Sequence, residues 1–548
     1  MSATSLFSLG TKAMMASQAA LAATSHNIAN ANVQGYSRQQ AELATAVGQY
    51  HGSGYFGQGV DVTTVSRAHD AFLTREAAST RSLAAMDASR LQLLRELEAV
   101  FPGGEQGVGH AAGELLNAMV DLSAQPGDAA TREVILARAQ DVASRFAAAG
   151  AQLDALQQQV GDGLRGGVAQ VNRLAANIAE LNQRIAAAQG LGQPPNDLLD
   201  QRDQALSDLS QQLQISTVRA DDGTVTVFAA GGQRLVMGAS AQALALQQDR
   251  SDPSRLALVA AGSGVVLAPG ELGGGAIAGL LRFQNDDLVD GRTRLGQLAA
   301  ALAGSVNLQQ SLGLDLRSPP GSGAPIFADV VAAQAVPDAG NSGGATVTMT
   351  VVDARQLQAS EYALRADPGG APGVWQVTRL SDGAVHSISN VPGSDTVDGL
   401  KITVGTSPPP AATDKFLLQP VTRAANGMRR VLDDIQGIAA AASSPASNNG
   451  NALAYTALRS AALVGGSTLT DAYAAAMADI GVRVQSAASG AAISAAVATQ
   501  AESARSAVSG VNLDEEAARL IHFQQSYQAA AKILQVAQAV FDTLLEAT

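Results

Sequence analysis

Gly52-Ser53-Gly54-Tyr55-Phe56-Gly57 fits GxGxxG, the pattern that cradles a dinucleotide pyrophosphate. Gly340-Asn341-Ser342-Gly343-Gly344 fits GxSxG, the strained turn that exposes a nucleophilic serine in hydrolases. Each pattern works in one setting, a strand before it and a helix after it. Here Val60, Val62 and Val65 follow the first motif as a strand, and the second sits in a loop ahead of a strand. Of the six histidines, His26, His51, His69, His110, His386 and His522, none forms HxxxH or another pair at metal-ligand spacing. The acidic pairs Asp286-Asp287, Asp433-Asp434 and Glu515-Glu516 could serve as acid and base. Adjacent acids at helix starts more simply face water or the helix dipole, and Asp514, Glu515 and Glu516 open the last predicted helix as such a cap. The chain has no cysteine, which removes thiolate catalysis and disulfides. These residues predict no catalytic constellation, no cofactor and no metal, hence no enzyme.

The strongest patterns are structural and lie at the two ends. Leu520, Phe523, Tyr527, Ala530, Leu534, Ala537, Phe541 and Leu544 recur at alternating spacings of three and four, the a/d seam of a coiled coil. Near the start, Phe7, Met14, Leu21 and Ile28 fall every seven residues, with Ala13, Ala16, Ala20 and Ala23 in the adjoining stripe. A seam of about 25 residues is roughly 37 Å of helix, and such a helix draws its stability from a packed partner. The ends are therefore expected to pair with each other, and to be largely disordered in a monomer that lacks its assembled neighbours.

Composition sets the rest of the frame. The 548 residues are 46% hydrophobic but only 3% aromatic, so burial rests on Ala, Leu and Val, and Ala and Leu favour helix. A formal net charge of -13 argues against nucleic acid or an anionic membrane as a partner, since both select clustered Lys and Arg. Ser, Thr, Gly and Lys12 break up the first dozen residues, which does not suit a cleaved secretory signal. The longest weakly polar run, Leu256 to Ala268, is too short to span a bilayer.

The chain reads as helix, β, helix, β, helix: a multidomain α+β protein with a long, coiled-coil-like helical body formed by both chain ends and two inserted, mainly β domains. Helices are predicted from Asp70 to Val100, with Phe72, Leu83, Met86, Leu93, Leu97 and Val100 on one face, over Ala111 to Leu122, from a cap at Asp128 or Thr131 through Ile185, and over Asp197 to Leu213. The period then changes to two around Asp222-Gly223, and a small β unit continues to about Leu281. Helix resumes from Asp286 to Gln310, and a second β region covers Thr346 to Leu418, with strands at 346–352, 375–380 and 400–404. Helices return after Met428, and Ala-rich helix fills Ala452 to Ser506. The expected units are 1–35 with 511–548 as a terminal paired-helix assembly domain, 36–215 with 285–318 and 424–510 as the helical body, 216–284 as the small β unit, and 319–423 as the outer β domain.

Residues 22–39 read ATSHNIANANVQGYSRQQ, which resembles the N-terminal signature of flagellar axial proteins. The Asn27-Ile28-Ala29-Asn30 core is shared by their rod, hook and junction members. Gly35, Tyr36, Ser37, Arg38 and Gln39 resemble more narrowly the hook-associated junction proteins. The run 509–545, SGVNLDEEAARLIHFQQSYQAAAKILQVAQAVFDTLL, is similar to the same family, as are NDLLDQRD at 196–203 and the segment 299–316. Val33 and Gln34 depart from the Thr and Pro that relatives often carry there. The resemblance implies a structural component of the bacterial flagellum that joins hook to filament through stacked terminal helices. It implies as partners the hook protein, the second hook-associated junction protein, further copies of itself in a ring or helix, and a cytoplasmic export chaperone on the C-terminal helix. Export would run through the flagellar type III apparatus to the outside of the cell, without a cleaved signal. Phe7, Met14, Leu21, Ile28, Leu520, Phe523, Tyr527, Leu534, Phe541 and Leu544 would form the assembly interface. A hook or rod subunit is the nearest alternative, and an exported hydrolase using Ser342 or a surface adhesin the more distant ones.

Overall fold

The computed structural model describes residues 3–546 except 52–53, 191, 368–372, 391–394, 406 and 408. The helices are α1 (Ala3–Asn30), α2 (Ala71–Ala99), α3 (Val108–Ala124), α4 (Ala129–Gln189), α5 (Asn196–Gln212), α6 (Ala276–Arg282), α7 (Leu288–Ser311), α8 (Ala424–Gly427), α9 (Gly450–Leu458), α10 (Leu469–Ser509) and α11 (Leu513–Glu546).

The elements nest. The first helix packs along the last, α1 on α11, and the second along the next to last, α2 on α10. Both pairs are antiparallel. Gly10 lies against Leu534 while Asn27 reaches Glu516, and Arg81 pairs with Glu502 while Gly481 lies near Glu98. Inside this frame, α4 runs for 61 residues against α3 and α5. Asp128 caps it, accepting from the Thr131 backbone N–H at 2.8 Å. Its apolar residues recur at helical spacing, and Ile135, Val142, Phe146, Val160, Leu164, Val171 and Ile178 are all buried.

Between α1 and α2 a long ribbon pairs β1 (Gln39–Thr45) with β4 (Val60–Arg67), antiparallel with a bulge at Glu42/Leu43. It is tipped by the small hairpin β2 (Gln49–His51) and β3 (Gly54–Phe56). After α5 come a four-stranded sheet, β5 (Ile215–Arg219), β6 (Val225–Ala229), β7 (Arg234–Met237) and β8 (Ser240–Ala241), and the hairpin β9 (Leu244–Gln248) and β10 (Leu256–Ala260). These strands lie on α4 and share its hydrophobic core.

The second β region comprises β11 (Val336–Pro337), β12 (Val347–Val351), β13 (Tyr362–Ala366), β14 (Val374–Arg379), β15 (Val385–Ser389), β16 (Thr396–Val397), β17 (Leu400–Val404) and β18 (Lys415–Leu418). They form a five-stranded sheet in the order β11-β18-β13-β14-β15 and a three-stranded sheet, β12-β17-β16. Trp375 and Phe416 meet edge to face in the core, at 6.3 Å between centroids.

Four expectations about elements are corrected. Residues 276–282 are helical, not the end of the β unit. α6 runs into α7 through a π turn at Phe283–Asp287, whose buried Gln284 holds both the N–H and the C=O of Leu256 (3.1 and 3.0 Å). Residues 428–449 are mostly irregular, and 459–468 interrupt the Ala-rich helix. The first half of α2 does not follow its predicted stripe, since Phe72 and Leu83 are exposed while Leu93, Leu94 and Leu97 are buried. The chain ends, expected to be largely disordered in the monomer, are two helices packed on each other.

Candidate functional site at the paired chain ends

The face that α1 turns to α11 is made of small residues. Ala16, Ala20, Ala23 and Asn27 are buried, at spacings of four, three and four. Gly10 extends the row, and a Cβ there would stand 2.8 Å from the Leu534 side chain. On α11, Glu516, Ala530 and Ala537 are the buried positions, one or two heptads apart. Small against small lets the backbones approach closely. The larger residues flank this seam. Phe7, Met14, Leu21 and Ile28 are half-buried, as are Leu520, Phe523 and Leu534, while Tyr527 and Phe541 are exposed. Leu544 lies in α11, and its side chain is outside the described residues. Ile521, Ile533, Val536 and Val540 of α11 also face solvent, so the pair satisfies itself on one side and leaves apolar surface on the other.

Asn27 ties the ends to the body. Its side-chain amide donates to the Gln39 carbonyl (2.8 Å) and to the Glu516 carboxylate (2.9 Å), and its oxygen accepts from the Tyr36 hydroxyl and the Gln39 N–H (2.8 Å each). All four hydrogen-bonding positions are filled, as burial demands, and they join α1, the turn after it, β1 and α11. Asn30 caps locally, donating to the His26 carbonyl (3.0 Å). Gly35 has φ +82°, and a Cβ would meet the Gln204 side chain, so this turn takes glycine for both backbone and space. Tyr36 stands edge-on to His26. Burial, then Asp200, raises its hydroxyl's pKa well above the ordinary phenol value, so it stays a donor.

The NDLLDQRD segment is the plate on which this turn rests. Asp197, Asp200 and Asp203, three residues apart on α5, accept respectively from Gln39 Nε2 (3.0 Å), from the Ser37 N–H (3.0 Å) and Arg67 (2.7 Å), and from Arg67 again (2.7 Å). Asn196 donates to the Val65 carbonyl (2.7 Å). Arg202 turns the other way, to the Gly223 carbonyl (2.7 Å) and Asn182. Burial pulls its pKa down to about 10, which leaves it charged at neutral pH. Arg38 donates its backbone N–H to the Ser509 carbonyl (2.8 Å), and its guanidinium lies 3.7 Å from Glu515. The signature thus holds the ends of α10 and α11 against the ribbon.

Two participants are not evident from sequence patterns alone. Glu516, predicted to be a helix cap, is buried and bonded to Asn27 and Arg519. Arg67 is the cation between Asp200 and Asp203. The i, i+3, i+6 spacing of the three aspartates on one helical face is a signal that could have pointed to such a plate.

The residues first considered for chemistry lie elsewhere. Ser342 is in a loop whose backbone N–H, with those of Gly343 and Ala411, donates to the buried Asp414. This is a turn support rather than a nucleophile elbow. Gly52 and Ser53 fall outside the described residues, and Gly54 to Phe56 form strand β3. Asp287, one of the paired acids, is buried in an ion-pair network with Arg90 (2.7 Å) and Arg483 (3.7 Å) that bolts α2 to α10. Among the described residues no group of three or more His, Asp or Glu is placed to hold a metal ion, and no helix is long and apolar enough to cross a membrane.

Residues 8–36 match a family described as flagella basal body rod protein, and residues 503–547 one described as flagellar basal body rod FlgEFG protein C-terminal. Residues 94–327 match the flagellar hook-associated protein FlgK helical domain, and 336–420 a hook-associated protein 1 D2-like domain. The chain is 33% identical to flagellar hook-associated protein 1 of Salmonella typhimurium over 558 residues, covering 99% of both chains. It belongs to the flagellar hook-associated protein 1 family. The Escherichia coli member is 32% identical over 552 residues, again 99% of both. The fold is similar to that of the flagellar hook junction protein FlgK from Burkholderia pseudomallei, with TM-score 0.72 and 25% identity over 79% of this chain and all of that one. Members of this family are structural parts of the extracellular flagellum that assemble with other axial proteins. The α+β architecture with helical ends is the family's.

Proposed function

We propose that this chain forms the junction between hook and filament by stacking its paired ends, residues 6–30 and 513–545, with those of neighbouring subunits in a tube. The observation that carries the mechanism is the solvent-facing stripe Ile533, Val536 and Val540, with Ile521 nearer the start of the helix, beside a face that is already packed. Each such side chain is already about half buried, so covering the rest contributes on the order of 1 kcal/mol, and a row along a helix fits another helix better than a compact ligand. Phe7, Met14, Leu21, Ile28, Leu520, Phe523, Tyr527, Leu534 and Phe541 border the same pair and complete the interface, with Leu544 of α11 expected to join them by its seven-residue spacing from Ala537. Head-to-tail contacts of this kind close into rings or continue as helices according to the rotation between subunits.

In this reading the hook protein lies on one side and the second hook-associated junction protein on the other. The same apolar row on α11 needs cover before assembly, which a cytoplasmic export chaperone would supply. Export proceeds by the flagellar type III route without a cleaved signal. The role is structural and not catalytic, so Ser342→Ala should leave motility unchanged.

Immunogold labelling of flagella from the source organism, with antibody against residues 323–420, should give one band between hook and filament. Labelling along the whole hook would make the chain a hook subunit instead. A chain ending at Val511 should be folded in its central part yet support no filament, and filament growth with it would sink the proposal.

A further inference from the structure

The ribbon β1/β4 lies along α1 with its base at the signature and its tip near the N-terminal end of the helix. Gln39 is bonded to Asn27, Asp61 pairs with Lys12 at 2.8 Å, and Gly59 touches Leu9. Leu9 and Asn27 are separated by roughly 27 Å of helix, so the ribbon carries its tip at least that far from its base. The tip is apolar and open. Val47 is 88% exposed, and Tyr50 and Tyr55, opposite each other across the hairpin and so on one face, are 66% and 74% exposed. Gly48 makes room for the Tyr55 ring, since a Cβ there would lie 2.8 Å from it. A chain with only seven tyrosines thus places two side by side at the end of a projecting arm.

At the base of the same ribbon is a groove of about 670 Å³ between α1, β4 and the start of α5. Ala22, Val65, Pro194, Pro195 and Leu198 line it, flat surfaces suited to an aromatic ring. At its end His26 and Asp197 stand 3.7 Å apart, where the carboxylate can accept from a phenol O–H.

We propose that the Tyr50/Tyr55 tip of one copy docks in the Pro194-Pro195 groove of a second copy of this chain. The inference rests on the stacked-end reading above and supplies a contact outside the helix pair. Tip and groove are the two ends of one ribbon displaced along α1, so a shift of one copy along that axis carries its tip towards the next copy's groove, and the contact is heterologous and repeatable. The aromatic tip meets an apolar floor, and its hydroxyls meet an acceptor.

The test is a photo-crosslinking phenylalanine at position 55 of the full chain, with a second variant at position 50, irradiated in isolated flagella that carry the protein. The expected product has twice the chain's mass, with the linked peptide inside residues 17–30 or 191–203, and Leu198→Arg should cut its yield at least tenfold while secretion persists. An adduct to a different flagellar protein, a self-adduct mapped elsewhere, or no adduct from either position would overturn the docking. In each of these cases the gold band at the junction would still stand, so the two proposals fail separately.

Discussion

Replacing Asn27 with Ala leaves the Gln39 N–H and carbonyl, the Tyr36 hydroxyl and the Glu516 carboxylate without the partner that now joins them. We expect a loss of about 3 kcal/mol in holding the ends to the body, read as roughly hundredfold faster hydrogen exchange across residues 37–43 and 513–520 with little change in α4. Asn27→Asp should be at least as damaging, because it sets a second carboxylate beside Glu516. His69 gives a pH prediction. Burial, then the neighbouring Arg67 with a smaller part from Arg219, lowers its pKa below 6.5, outweighing Asp203 and Asp200. The unfolded chain therefore binds a proton that the folded site resists, and the stability this site contributes, full above about pH 6.5, falls as the solution is acidified through the lowered value. His69→Gln should flatten the pH dependence of exchange at residues 66–70 in that window. At this scale the signature residues were legible because their pattern is shared by a family. Glu516 was not, because its burial depends on a partner 489 positions away in the chain.

At the scale of elements, the buried alanines set how closely α1 and α11 approach. Ala20→Leu adds volume to a seam already in contact and should cost about 1–3 kcal/mol, lowering the melting temperature of the end pair. The same change at exposed Ala22 should not. Helices with strong periodicity and side-chain caps, such as α4 from Asp128, could be read from sequence to within a few residues. Residues 276–282 could not, since AIAGLLR is a short apolar run that fits strand or helix equally, and what decides between them is packing against α2. Gly279 marks that contact, where a Cβ would strike the Met86 carbonyl. β13, β15 and β18 were missed for a related reason: their pairing partners, rather than their own short sequences, make them strands.

For the molecule as a whole, the connection from the outer β region back to the helices is set by close backbone contacts. A Cβ on Gly296 of α7 would run into the Val421 carbonyl. Gly296→Ala should therefore cost more than about 3 kcal/mol and lower the main thermal transition, while the end pair's own response in hydrogen exchange stays separate. The order helix, β, helix, β, helix was legible from changes of period. How the elements nest was not, because nothing local states that α2 will lie on α10. That nesting also implies a sequence of events. Joining the first helix to the last in an otherwise open chain closes a loop of some 500 residues, at an entropic cost of about 5–6 kcal/mol. Once α2 lies on α10 and the ribbon closes through the Ala68 N–H to the Arg38 carbonyl (2.8 Å), Arg38 stands beside Ser509 to which it is hydrogen-bonded, and α1 meets α11 across only a short tether. The molecule should thus close from the inside outward like a zip, with its ends the last to engage and the first to reopen.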